Sequence, residues 1–203
     1  MNIEIVKSSL LIVEGYDDER FFKSFARYLG MEEKVQIIPI RGQIGYRELK
    51  SVVFTSGFRR VKSLGIIRDA NDNPQGAFQS IVNSLKRLGF SPPSKSGEFV
   101  SKDDIKVGIL VLPENKKGEL ETVIAKVLNT QHSERMSCVD LYFKCLQGNG
   151  INIKKIDKAK VYTYFASYPD PDKRLGEAAE AGYWSWDDRE FESIREFILK
   201  LTN

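Results

Sequence analysis

The sequence has few of the residues that build soft metal sites. Its 203 residues include one His and two Cys. His132 alone cannot form an imidazole-rich metal site. Cys138 and Cys145 do not form a C-x-x-C pair, which argues against a thiolate zinc site and a disulfide scaffold. Any metal bound by this chain is therefore expected to be a hard cation held by oxygen, because carboxylates are the ligands in supply.

Long apolar runs and a strong net charge are also absent. No apolar run approaches the roughly 18 residues of a membrane helix, and no basic segment precedes a long apolar one. The 31 Lys and Arg residues nearly balance the 28 Asp and Glu residues, which gives a net charge of +3. Two unpatterned Cys residues suit a reducing compartment. We therefore expect a soluble, cytoplasmic, globular protein that does not associate with membranes.

Short apolar runs alternate with segments of helical periodicity in the first two thirds of the chain. Strands are predicted at residues 10–13, 35–40, 64–67 and 107–112. A helix is predicted after each strand, at about residues 17–29, 46–54, 78–88 and 118–128. This alternation predicts an α/β fold in which helices flank a mainly parallel, Rossmann-like sheet.

From about residue 129 the pattern becomes helical. Apolar stripes predict three helices, carried by Val139, Tyr142, Phe143 and Leu146, by Val161, Tyr164 and Phe165, and by Phe191, Ile194, Ile198 and Leu201. Asp187 or Asp188 is a candidate cap for the last of these. Because no Gly/Ser-rich linker intervenes, we expect an α/β domain over residues 1–128 and a helical extension, residues 129–203, packed on it. Tyr183, Trp184 and Trp186 are expected to pack in this extension rather than stack on bases.

Two acidic residues follow buried strands. Glu14 comes directly after the first strand, and Asp69 comes at the end of the third. Ligands of parallel sheets bind at the carboxyl ends of the strands. Carboxylates gathered there repel one another, and a divalent cation relieves the repulsion. The alternative is that both residues are ordinary polar strand ends that enter turns.

These residues lie in motifs that resemble those of a known family. The chain is similar to Toprim-domain proteins, and especially to the small Toprim-like proteins related to OLD-family nucleases. The motifs are Val13-Glu14-Gly15-Tyr16-Asp17-Asp18 followed by Phe21-Phe22, Leu64 to Asn71 as the DxD strand, Gly118-Glu119-Leu120-Glu121, and the C-terminal segments 173–176 and 183–186. The resemblance implies a Toprim-like fold that spans nearly the whole chain.

The resemblance also implies roles for individual residues. Glu14 matches a glutamate that acts as general acid or base or as a metal ligand, and Asp69 matches the first metal-binding aspartate. Asn71 stands where the family has its second aspartate, so Mg²⁺ (or Mn²⁺) should be held more weakly. Asp72 is either a substitute ligand or an ordinary turn residue. Glu121 is either a ligand for a second metal or a first-turn glutamate favoured by the helix dipole.

Five further residues are candidates for supporting roles. Gly15 and Asp18 belong to the first motif, and Asp18 is either a helix cap or a neighbour of the metal. Arg41 and the pair Lys116 and Lys117 are candidates for contacts with a phosphodiester backbone. Solvated surface is the alternative for these cations.

The leading hypothesis is divalent-metal-dependent cleavage or transfer of phosphodiesters on a nucleic acid, with Glu14 and Asp69 as catalytic residues. The rival is a degenerate Toprim module that binds nucleic acid or a protein partner, or forms a homodimer, without catalysis. A response-regulator-like receiver ranks last, because the fourth strand ends in Pro113-Glu114 instead of Lys. The sequence alone leaves open whether the chain is an enzyme.

Overall fold

The computed structural model describes residues 4–203, and the first three residues of the predicted 1–128 domain lie outside this range. The described residues form an α/β fold with one five-stranded, mostly parallel sheet, which confirms the predicted Rossmann-like class. The strands are β1 (Ser9–Val13), β2 (Val35–Pro39), β3 (Ser63–Asp69), β4 (Phe99–Lys102) and β5 (Ile105–Leu112).

Eight α-helices accompany the sheet within the described residues. They are α1 (Tyr16–Tyr28), α2 (Tyr46–Val53), α3 (Pro74–Arg87), α4 (Leu120–Gln131), α5 (Ser133–Gly148), α6 (Ile156–Phe165), α7 (Leu175–Glu180) and α8 (Glu192–Thr202). Short 3₁₀ turns at Phe58–Arg60 and Arg189–Phe191 precede β3 and α8. None of the helices in residues 4–203 has the length and apolar character needed to span a bilayer.

The strand order is β2-β1-β3-β5-β4, and the chain reverses its direction of travel across the sheet between β1 and β3. The β1–β2, β1–β3 and β3–β5 pairs are parallel, while β4 pairs antiparallel with β5. A reversal of this kind opens a crevice at the carboxyl ends of the two strands on either side of it. Glu14 and Asp69 lie at that crevice.

Each face of the sheet is covered by its own apolar core. One core joins β-strand residues to α2 and α3, through Leu49, Val52, Ile81 and Leu85 among others. The other joins the opposite face to α1 and to all five helices of residues 120–202. The helical C-terminal segment therefore packs on the sheet and on α1 through one continuous set of buried residues.

Two paired glycines allow α8 and β4 to approach the sheet. Gly65 of β3 is in register with Gly108 of β5. A Cβ atom on Gly65 would lie 3.1 Å from the side chains of Leu201 and Phe197, and one on Gly108 would lie 2.4 Å from the ring of Phe99. The two missing side chains leave a flat area on which α8 and Phe99 pack.

The structure also differs from the sequence-based predictions. Strand β4 and helix α7 were not predicted, because each is short and has little periodicity of its own. Tyr142, predicted in a core stripe, is 53% exposed, whereas Val139 and Phe143 are buried as expected. Asp188 does cap the 3₁₀ turn that leads into α8, by accepting a hydrogen bond from the amide of Glu190.

The aromatic segment near the C-terminus packs as predicted. Tyr183 and Trp184 are buried, and Trp186 contacts the rings of Phe21 and Phe25 on α1. These rings belong to the core between α1 and the C-terminal helices. They are therefore used for packing and are not available to stack on bases.

Candidate metal centre

The two acidic strand ends meet at the crevice between β1 and β3. The backbone amide of Asp69 donates a hydrogen bond of 3.3 Å to Oε2 of Glu14. The strand segments that lead to both residues are buried, namely the whole of β1 and the first six residues of β3. A rigid sheet edge therefore holds the two carboxylates that the sequence singled out.

Arg68 is a functional neighbour that the sequence did not reveal. Its side chain is only 3% exposed, and its Nε lies 3.4 Å from Oε1 of Glu14. One Nη of Arg68 donates to the carbonyl oxygen of Ile44 at 3.3 Å. Burial raises the pKa of Glu14, while the amide of Asp69 and the charge of Arg68 act in the opposite direction. Arg68 therefore holds Glu14 in place and partly balances its charge.

Asp69 is a second, partly buried carboxylate of the site. Its Oδ1 accepts a hydrogen bond of 2.9 Å from the amide of Leu120, at the start of α4. Burial raises the pKa of Asp69 well above its ordinary value, and the charges of Asp18 and Glu14 raise it further. The site therefore carries more negative charge than its protein surroundings neutralise.

Asp18 belongs to this acidic group, whereas its neighbour Asp17 does not. Burial, followed by the charge of Glu121, raises the pKa of Asp18 to about 7. Asp17 instead accepts hydrogen bonds from the amides of Gly176 at 2.8 Å and Leu175 at 3.2 Å, and so caps α7. Of the two alternatives for Asp18, capping of α1 is wrong, because Gly15 is the N-cap and has no side chain to offer.

Gly15, named as a supporting residue, has extended backbone at the start of α1. A Cβ atom built there would lie 3.8 Å from Oδ2 of Asp18, which is ordinary van der Waals contact. Gly15 thus lies beside the acidic group.

Glu121 is the fourth member of the acidic group and forms an ion pair with a lysine. It lies in the first turn of α4 with a side chain that is 7% exposed, and Nζ of Lys158 lies 2.7 Å from its Oε1. Glu119 is the N-cap of α4 and pairs with Lys155, while Lys158 lies 3.7 Å from its Oε2. Lys158 is not among the cations that the sequence singled out. Nothing in the local sequence marks it, because α4 and α6 meet only in the folded chain.

Asn71 and Asp72 lie at the rim of the site. Asn71 has a left-handed backbone with φ of 49°, and it exchanges two backbone hydrogen bonds with Gly118, of 2.7 and 2.9 Å. Its side-chain amide makes only a long contact of 3.5 Å with the carbonyl oxygen of Asp69. Both side chains are exposed. The fold thus gathers Glu14, Asp69 and Glu121 with Asp18, and it leaves Asn71 and Asp72 at the edge.

Two grooves meet at this rim. The first has a volume of about 710 Å³ and runs past Glu14, Asp69 and the turn of Gly42 and Gln43. The second, of about 330 Å³, is bordered by basic residues, namely Lys117, Lys154, Lys155 and Lys158. They share Asn71, Asp72 and Glu119. An extended polymer with regularly spaced charges could lie along both grooves and pass the acidic group.

The three cations predicted from the sequence differ in their position relative to these grooves. Arg41 is exposed, and its Nε donates to the hydroxyl of Tyr16 at 3.2 Å. Lys116 is exposed in the turn before α4 and does not line either groove, whereas Lys117 does. Of the three, only Lys117 borders the grooves that meet at the acidic rim.

The acidic group surrounds a very small cavity. It has a volume of about 10 Å³ and is lined by Glu14, Asp18 and Asp69 together with Arg68 and four apolar residues, namely Phe22, Ile67, Leu112 and Leu120. A volume of this order accommodates about one water-sized particle. Within residues 4–203, no three acidic, His or Cys side chains are already arranged around a common point as a metal site. The donor chemistry suits a hard cation, because carboxylate oxygens are the ligands that such cations prefer.

Comparison with known proteins identifies the family. A family model matches residues 8–203, almost the entire chain. The chain belongs to the DUF3226 family. The family is described as a protein of unknown function. No curated protein matches this DUF3226 chain in sequence.

Two solved structures share the fold of this DUF3226 protein. A hypothetical protein from Pyrococcus horikoshii OT3 aligns with a TM-score of 0.56 and 17% identity, over 97% of this chain and 94% of that one. The C-terminal region of the OLD protein from Xanthomonas campestris pv. campestris aligns with a TM-score of 0.52 and 13% identity, over 96% and 94% of the two chains. Both likenesses extend through the C-terminal helices as well as the sheet.

Proposed function

We propose that this DUF3226 protein is a metal-dependent phosphodiesterase of the Toprim type that acts on nucleic acid. One observation carries the proposal: four acidic side chains converge at the crevice between β1 and β3, namely Glu14, Asp18, Asp69 and Glu121. The pKa values of Asp18 and Asp69 are raised partly by the charges of their acidic neighbours. Mutual repulsion of this kind costs folding free energy unless a cation offsets it.

Mg²⁺ or Mn²⁺ fits this donor set. Both are hard cations that prefer carboxylate oxygens. Asp69, Asp18 and Glu14 border the small cavity and would supply the oxygens, with Glu121 beside them. A bound divalent cation would orient a phosphate and stabilise the negative charge that develops on it.

The protein's own residues would complete the chemistry. In hydrolysis, a water molecule gives up a proton as its oxygen bonds to phosphorus, the bond to the leaving oxygen breaks, and that oxygen takes up a proton. We assign both proton transfers to Glu14, because its carboxyl group lies at the crevice and burial raises its pKa. Lys117, Lys154 and Lys155 border the second groove and would contact phosphates on one side of the cleaved bond.

The similarities agree with this proposal. The motifs around Glu14 and Asp69 resemble those of Toprim proteins, and the fold is shared with the C-terminal region of an OLD protein. The resemblance of the sequence motifs includes the acidic residues themselves, whereas the similarity to the OLD-protein structure concerns the fold.

The test is cleavage of labelled single- and double-stranded DNA and RNA with Mg²⁺, with Mn²⁺ and with EDTA. Glu14→Gln and Asp69→Asn should each reduce metal-dependent cleavage by at least 100-fold, which is the lower range for loss of an acid–base group. Asp103→Asn is the matched control, because Asp103 lies in the exposed β4–β5 turn with a positive φ that Asn also tolerates. Undiminished cleavage by both site variants, with the fold intact, would overturn the assignment.

A second candidate function is binding of nucleic acid or a protein without catalysis. Two observations favour it: Asn71 stands where a second aspartate is expected, and the ammonium of Lys158 already pairs with Glu121. Isothermal titration with Mg²⁺ and Mn²⁺ separates the two. Binding that Asp69→Asn abolishes favours the phosphodiesterase, and no binding at millimolar metal favours the binding module.

A further inference from the structure

Positive charge is concentrated in one part of the chain. Residues 49–97 contain eight Lys and Arg and only two Asp, a formal charge of +6 in a chain of net charge +3. Both of those aspartates, Asp69 and Asp72, lie at the acidic site. Apart from β3, whose Arg68 is buried beside Glu14, the segment forms the end of α2, the Phe58–Arg60 turn, α3 and the loop that follows it. Helices α2 and α3 cover the face of the sheet opposite the C-terminal helices. This face therefore carries an unbalanced positive charge.

The cations at the far end of this face are exposed and lack ion-pair partners among residues 4–203. Lys50, Arg59, Arg60 and Lys62 are all exposed. The ion pairs found in the described part of the chain all use other Lys and Arg residues. Exposed cations without carboxylate partners are the usual means by which proteins contact phosphates.

An exposed aromatic ring lies among these cations. Phe54 follows the last residue of α2 and is 76% exposed, the largest exposed fraction of any large apolar side chain in the described residues. Nζ of Lys50 lies 5.8 Å from the centre of its ring. A groove of about 760 Å³ runs along residues 53–60, with Phe54 and the two arginines among its lining residues.

We propose that this basic groove, formed by residues 53–60 together with Lys50 and Lys62, binds single-stranded nucleic acid. The arginines would contact successive phosphates, and an unpaired base would stack on the ring of Phe54. Single strands offer base faces that duplexes conceal, and aromatic rings beside a basic groove bind them with little sequence preference. An anionic membrane is less suited, because Phe54 is the sole large apolar side chain exposed within residues 49–62.

The basic groove lies on the same face of the sheet as the groove beside the acids, which is bordered by Gly42, Gln43 and the first turns of α3. Helix α2 connects the two regions and, with eight residues, is about 12 Å long. One strand could therefore lie along α2 with its end at the acidic site. The proposal that the basic groove binds single strands is independent of the proposed function. Only the path from the basic groove to the acidic site rests on the proposed function.

The test is fluorescence anisotropy of labelled oligothymidylate and oligouridylate in EDTA, so that no cleavage intervenes. Arg59→Glu with Arg60→Glu should weaken binding of the oligonucleotide at least tenfold. The pair should also reduce the slope of log affinity against log salt by about 1.4, for two phosphate contacts at about 0.7 each. Lys144→Glu with Arg189→Glu is the matched control, because it changes the charge equally at exposed positions outside the basic face.

Variants of Phe54 report on stacking separately from charge. Phe54→Ala should weaken binding about tenfold without changing the salt slope, because a stacked ring carries no charge. Phe54→Trp should retain affinity, and its fluorescence should be quenched when the oligonucleotide binds. Far-UV circular dichroism verifies that each variant is folded. If the Glu substitutions unfold the protein, the double variant Arg59→Gln with Arg60→Gln replaces them in the binding measurement.

Two results would overturn the proposal. In one, the arginine variant binds oligonucleotides as tightly as the Lys144 and Arg189 control. In the other, the arginine variant loses binding only to phosphatidylserine vesicles and keeps its affinity for oligonucleotides. Because binding is measured in EDTA, where no cleavage intervenes, failure of the phosphodiesterase proposal would leave this one standing.

Discussion

Nζ of Lys158 lies 2.7 Å from the Oε1 atom of Glu121, so an ammonium from α6 neutralises a buried carboxylate of α4. The charge of Glu121 raises the pKa of Lys158. Lys158 is also among the cations that lower the pKa of Asp18. The protein thus contributes one cation of its own to an acidic group that we propose to bind metal.

Removal of this ammonium should strengthen metal binding. Lys158→Met frees Glu121 and leaves the acidic group with one more uncompensated charge, so we expect the affinity for Mn²⁺ to rise about tenfold. Isothermal titration measures the change. Lys160→Met is the control, because Lys160 lies on the same helix but pairs with Asp140. Equal Mn²⁺ affinities for the two variants would contradict the prediction.

Asp18 should make the metal-free protein less stable as the pH rises. Its pKa is about 7 in the folded chain and 3.8 ordinarily, so the folded state binds a proton that the unfolded state releases. The stability due to this proton is complete below pH 3.8 and is lost as the pH rises through 7. Asp18→Asn should therefore be more stable than the wild type by about 2 kcal/mol at pH 8 and equal to it below pH 4.

Urea unfolding in EDTA at both pH values measures this difference. The control Asp103→Asn, at an exposed turn position, retains Asp18 and should lose stability with rising pH as the wild type does. Parallel stability curves for Asp18→Asn and wild type across this pH range would show that Asp18 does not experience the repulsion.

Asp17 should contribute to the stability of the fold and not to the binding of metal. Its two carboxylate oxygens accept from the amides of Leu175 and Gly176. Asp17→Ala leaves both amides without that partner and should lower the free energy of unfolding by about 1–2 kcal/mol. Asp17→Asn keeps one acceptor oxygen and should cost less. Normal stability combined with lost Mn²⁺ binding would instead identify Asp17 as a ligand.

A carboxylate at position 71 should restore metal affinity. The left-handed backbone of Asn71 is one that Asp also tolerates, so Asn71→Asp adds a charge at the rim without strain. We expect Mn²⁺ to bind about tenfold more tightly. Asn73→Asp adds the same charge while keeping the cap that Asn73 provides to the amide of Gly76, and should have a smaller effect. Equal gains in the two variants would indicate a general effect of charge.

Much of the α/β domain followed from local pattern. The apolar runs before Glu14 and Asp69 are long enough to be recognised as buried strands, and parallel strands of one sheet bring their carboxyl ends to the same edge. The encounter of these two residues was therefore predictable. Strand β4 was not, because Phe99 and its neighbours form a short edge strand whose partner and register are set by β5.

The sequence by itself determined which residue types are available, the alternation of strands and helices, and the position of two carboxylates at strand ends. Only the tertiary structure separated Asp17 from Asp18, because adjacent helical residues face different neighbours: one meets α7 and the other meets the acidic cavity. Only the tertiary structure paired Lys158 with Glu121 and Arg68 with Glu14. Such contacts depend on how distant elements pack, and local periodicity carries no information about them.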